Sequence, residues 1–152
     1  MIRIRFPHLP LAILLPALLL AGCGTEEVDP VAPVLGWISI NATTVESAET
    51  PLTVTLSYRD HQGDLGWADP DRHALEVQDS RLAAPDTYHI PPLTPDGMEL
   101  DIEGTFEVAL PPLFFLGNGG DEQTRLTFRI TDRAGNASNA VESPVILITD
   151  TL

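Results

Sequence analysis

No lysine occurs among the 152 residues, and cysteine occurs once. A single thiol excludes an internal disulfide and any cysteine metal cluster. The basic residues are eight arginines, set against 22 acidic residues, which gives a formal charge of −14. A chain so poor in cations lacks the basic face that phosphate binding needs, so nucleic acid is excluded as a partner. The apolar run from Leu9 to Leu20 is too short for a comfortable membrane span, and Pro10 and Pro16 interrupt it. No G-x-S-x-G elbow and no P-loop is present. What remains is ample for folding: hydrophobic residues make up 43%, so the acidity does not imply disorder.

Arg3 and Arg5 precede the apolar run, which ends in Leu20-Ala21-Gly22-Cys23. A short positive region, an apolar stretch and small residues before a cut are the parts of a secretory signal. The last four residues resemble the lipobox of bacterial lipoproteins. That resemblance implies cleavage before Cys23 and acylation of its thiol, palmitate included. Because Gly24 rather than aspartate follows the cysteine, it also implies the outer membrane of a Gram-negative cell. More than one acyl chain makes such an anchor stable. The expected organisation is a signal peptide over 1–22, a lipidated cysteine and flexible tether over 23–33, and one domain over 34–152. Loss of Arg3 and Arg5 takes the charge from −14 to −16. The tether is acidic and proline-bearing, with no apolar period.

From Val34 onward, short β-type runs alternate with turn clusters, and no helical stripe is visible. Strands are expected over 34–41, 52–58, 74–77, 87–90, 105–110, 125–131 and 145–148. The clearest are period-two patterns, with Leu52, Val54, Leu56 and Tyr58 on one face and Phe106, Val108 and Leu110 on another. Leu126, Phe128 and Ile130 form a third. Pro144 suits the entrance of an edge strand. About seven such strands predict an all-β fold, an immunoglobulin-like β-sandwich. Its core is expected to hold Trp37, Leu56, Tyr58, Phe106, Val108, Leu126, Phe128 and Ile130. Two motifs leave these strands, Tyr58-Arg59-Asp60-His61-Gln62-Gly63-Asp64-Leu65-Gly66 and Thr131-Asp132-Arg133-Ala134-Gly135-Asn136. Together they resemble Gram-negative lipoproteins that carry one immunoglobulin-like domain, and the D-x-A-G-N ends of bacterial extracellular sandwich repeats. The resemblance bears on fold more than on function.

The densest chemistry is acidic. Asp60, Asp64, Asp69 and Asp71 crowd one loop, and Asp132 and Asn136 stand in another that the topology brings to the same end. Converging carboxylates and an amide form the hard-oxygen surroundings that Ca²⁺ prefers, so these six are the candidate ligands. The spacing is not that of an EF-hand, because Gln62 and Leu65 occupy positions that motif reserves for a ligand and a glycine. The competing reading is local turn chemistry, in which Asp and Asn side chains accept from nearby backbone N–H groups. His61 and His73 flank the loop without metal-ligand spacing. The topology further predicts that the first strand starts at this end, so the tether emerges beside the acidic loops.

Leu113, Phe114, Phe115 and Leu116 lie between Pro111-Pro112 and a glycine-rich turn. They are either an exposed partner-contact loop or a cap folded back over the core. The function expected is a membrane-anchored, non-enzymatic binding or accessory module, a monomer that engages an envelope protein or a glycan. The alternatives are a Ca²⁺-dependent spacer domain and a small hydrolase using loop carboxylates.

Overall fold

The computed structural model describes residues 31–95, 98–117 and 120–150. Among them there are ten strands and no helix. In chain order these are β1 (Val34–Ile40), β2 (Thr44–Glu46), β3 (Leu52–Asp60), β4 (Leu75–Asp79) and β5 (Asp86–Tyr88). They continue with β6 (Ile102–Leu110), β7 (Glu122–Thr124), β8 (Leu126–Ile130), β9 (Val141–Glu142) and β10 (Ile146–Thr149). One layer has the order β1-β3-β6; the remaining strands run β5-β4-β8-β9 and β2-β10-β7.

The second and third groups form one interrupted layer. Only Arg125 separates β7 from β8, and only residues 143–145 separate β9 from β10. Proline has no N–H to give to a ladder, and Pro144 stands in the second gap. The Ser143 hydroxyl bridges it by accepting from Leu126 N at 2.9 Å, while Ser143 N donates to Leu126 O at 2.9 Å. Pro144 therefore marks a break within a strand rather than the entrance of an edge strand.

The two layers face each other through alternating residues, as period-two strands require. Leu52, Val54 and Leu56 of β3 are fully buried against Phe128 and Ile130 of β8 and Ile146 and Ile148 of β10, in one continuous core. Trp37 reaches across to Phe128, with ring centroids 6.0 Å apart. A bulge in β1 between Trp37 and Ser39 leaves Ile38 exposed and returns Ile40 to the core side. Of the expected core, Trp37, Tyr58 and Phe106 are half-buried and pack on the core from its margin; the other five are buried.

The register defines two poles. Val34 pairs with Arg59, so the chain enters β1 beside the end of β3 and the loop that follows it. At the other pole, Leu52 pairs with Leu110 and Asp79 with Leu126. Nine residues of β3 separate the poles by about 27 Å. The predicted start of the first strand beside the acidic loops agrees with this register.

Candidate functional site

At the entry pole, aspartates organise the loops. Asp60, 1% exposed at the end of β3, accepts from Gln62 N at 3.1 Å and from Asp64 N at 2.9 Å. Asp132, also 1% exposed, accepts from Asn136 N at 2.7 Å and from Asn136 Nδ2 at 2.9 Å. Each carboxylate thus closes a turn by satisfying backbone donors that the sheet no longer serves. Asp64 joins the loops: its Oδ2 accepts from Ala134 N at 3.1 Å, and its carbonyl accepts from Arg133 N at 3.1 Å. Gly63 and Gly66 have φ values of +66° and +81°, and a side chain there would strike the backbone of Leu100 and Pro91 respectively. Only glycine fits both demands.

Asp64 Oδ1 is buried and without a hydrogen-bond partner among the described residues. Burial, and then the nearby Asp132 and Asp60 charges, push this carboxyl above its ordinary value. Four of the six candidate ligands, Asp60, Asp64, Asp132 and Asn136, are therefore brought near one another, as the topology implied. The six do not form a cage, however. Asp69 and Asp71 are exposed on a separate turn, where Asp69 accepts from Asp71 N at 3.0 Å. Asn136 is engaged by Asp132. Among the described residues, no three His, Cys, Asp or Glu side chains are grouped so as to hold a metal ion. The oxygens of Asp60 and Asp132 are engaged by N–H donors, as turn chemistry requires. The histidines are also dispersed, with His61 on Asp101 at 3.2 Å and His73 on Thr87 at 2.8 Å.

The opposite pole carries a different chemistry. Of the four candidate contact residues, Leu113 and Phe115 are half-buried and packed on the core, whereas Phe114 and Leu116 are 58% and 53% exposed. Alternation in an extended segment splits the set, so the contact candidates reduce to Phe114 and Leu116. Beside them lies a cleft of about 100 Å³ whose apolar lining includes Val77, Leu82, Tyr88, Leu110, Pro112 and Leu126. Leu82 is exposed as well, at 44%.

A polar bolt fixes this apolar rim. Arg81 Nη2 donates to Asp79 Oδ2 at 2.7 Å, and its Nη1 donates to Glu122 Oε2 at 2.7 Å and to the Phe114 carbonyl at 2.8 Å. Glu122 in turn accepts from Leu116 N at 3.0 Å and Gly117 N at 2.6 Å. Burial alone would raise the Asp79 carboxyl, but hydrogen bonds from Arg81 and Thr124 outweigh it and hold it below the usual range. The Leu116 and Gly117 N–H groups hold Glu122 below its usual range, with help from Arg81. Sequence reasoning missed this network. Its signals were the Asp79-Ser80-Arg81 turn spacing and the scarcity of cations, which leaves few acids with an arginine partner.

Cys23 lies outside the described residues. No protein-family model matches the chain, and no curated protein matches it in sequence. Among solved structures it is similar to a mutant of the SrpA adhesin from Streptococcus sanguinis, with a TM-score of 0.42 and 11% identity. The match covers 79% of this chain and 57% of that one. What stands is an all-β sandwich whose entry pole is locked by aspartate turns and whose opposite pole carries Phe114 and Leu116 beside a cleft.

Proposed function

We propose that this protein is a non-enzymatic binding module of the Gram-negative cell envelope, held at the outer membrane by acyl chains on Cys23. Its partner is an envelope protein or glycan engaged at the pole opposite the anchor. The observation that supports this reading most is the chain's polarity. The tether joins β1 beside the aspartate-locked loops, while Phe114, Leu116 and Leu82 project at the other end. Val31, Val34, Met98 and Leu100 are exposed elsewhere, but the apolar side chains at Phe114 are grouped around a cleft, which marks a contact site. Their backbone is fixed by Arg81 and Glu122 before any partner arrives, which lowers the ordering cost of binding.

The test is made on the full chain in cells. A photocross-linking residue at Leu116 should give a discrete adduct, one at Ala134 should not, and Cys23→Ser should release the protein from membranes and remove its acyl mass. Equal adducts at both positions, or unaltered membrane retention of Cys23→Ser, would overturn the reading.

A further inference from the structure

The edges of the two layers are closed unequally. On one side, Asn139 covers β1 at Leu35: its Oδ1 accepts from Leu35 N and its Nδ2 donates to Leu35 O, both at 2.9 Å. The chain then crosses to β2, which pairs with β10. The other side stays open. β6 pairs with β3 along all nine of its residues, and among the described residues no strand lies on its far side. Residues 89–95 and 98–101, between β5 and β6, contribute no strand. The remaining sheet edges, β2, β5, β7 and β9, are two or three residues long.

A long unpaired edge is a template for another strand. Proteins usually blunt such an edge with charged side chains, lysine above all, with proline or with a bulge; β6 has no lysine, proline or bulge along Ile102–Leu110. Instead its exposed face carries Glu103 and Glu107, and its inward face carries half-buried Phe106 and buried Val108 and Leu110. The edge ends at the cleft of about 100 Å³, to which β5 contributes Tyr88. That space suits one aliphatic side chain, since a cavity of about 150 Å³ accepts benzene.

We propose that the open edge of β6 accepts an extended basic strand of another protein, with cations four residues apart opposite Glu103 and Glu107 and apolar residues between them. One apolar side chain of that strand fills the cleft. Main-chain hydrogen bonds supply the adhesion and alternate side chains the selectivity. A second copy of this chain is a poor occupant, because like charges placed directly opposite destabilise strand pairs and every copy presents the same two glutamates. The inference rests on the binding-module reading and specifies the partner's form.

The probe is a capped nine-residue peptide alternating valine and lysine, titrated against the full chain in detergent. A peptide of the same composition in scrambled order reports charge attraction alone. The alternating peptide should bind at least about tenfold more tightly than the scrambled one, and should slow hydrogen exchange of β6 amides. The Glu103→Lys/Glu107→Lys variant, altered only on the exposed face, should reverse the preference toward a valine–glutamate peptide. Equal binding of the alternating and scrambled peptides, or unchanged exchange along β6, would overturn the proposal. If that happens while cross-linking at Leu116 persists, strand addition falls and the binding-module reading stands. If the peptide binds but Leu116 gives no adduct, the β6 site stands and the far-pole contact falls.

Discussion

Asp64 holds an acidic hydrogen-bonding position at some cost. One oxygen accepts from Ala134 N, while the other is buried without a partner among the described residues. Its carboxyl is pushed up by burial first and by Asp132 and Asp60 next. A carboxyl with a raised folded value favours folding when protonated, and that advantage is lost as pH rises through the folded value. Asp64→Asn keeps an acceptor for Ala134 N and removes the charge. It should therefore raise Tm by about 2–4 °C at pH 7, with the gain disappearing at acidic pH where the wild-type group is already neutral. Thermal unfolding across pH checks both statements. Millimolar Ca²⁺ or EDTA should leave the wild-type midpoint unchanged. A Ca²⁺-dependent rise that Asp64→Asn abolishes would instead make these carboxylates metal ligands.

At the scale of elements, the long strands were legible and the short ones were not. β3, β6 and β8 alternate apolar and polar residues over five to nine positions, enough to reveal a period of two. β2, β7 and β9 have only two or three residues. They exist because β10 and β8 pair with them, a long-range cause that no local pattern records. The same limit applies to the sites. Topology brought Asp60, Asp64 and Asp132 to one pole, but whether their oxygens face a cation or backbone N–H groups is decided by loop geometry. The Arg81–Glu122 pairing joins residues far apart in sequence and was equally invisible. That pairing controls the loop bearing Phe114 and Leu116. Both Asp79 and Glu122 are held below their ordinary values, so their stabilisation is present above the unfolded-state value of about 4 and is lost as pH falls through the folded values. Glu122→Gln should therefore flatten the acid limb of the Tm profile. At pH 7 it should speed hydrogen exchange at Leu116 and Gly117 about tenfold while sparing the amides of β3. Exchange that stays slow at both residues would show that Glu122 does not hold the loop.

For the whole molecule, the consequence of the fold is directional. An anchor at Cys23 and a tether of ten residues, 24–33, would attach at the aspartate-locked pole, because Val34 pairs with Arg59. The pole bearing Phe114 and Leu116 would then point away from the lipid. The native tryptophans allow this to be measured. Trp67 lies in the entry-pole loops, with the Arg72 guanidinium 3.1 Å above its ring centroid, and Trp37 is part of the shared core. In vesicles containing a lipid with a fluorescent headgroup acceptor, energy transfer from the acylated wild-type chain should exceed that from the Trp67→Phe/Phe114→Trp double variant. The poles are about 27 Å apart along β3, and transfer falls steeply over such a span. Equal transfer would mean that the tether lets the domain turn freely, leaving the apolar pole as close to the membrane as the acidic one. A larger signal from the double variant would place Phe114 and Leu116 against the bilayer and make lipid, rather than an envelope partner, the surface they contact.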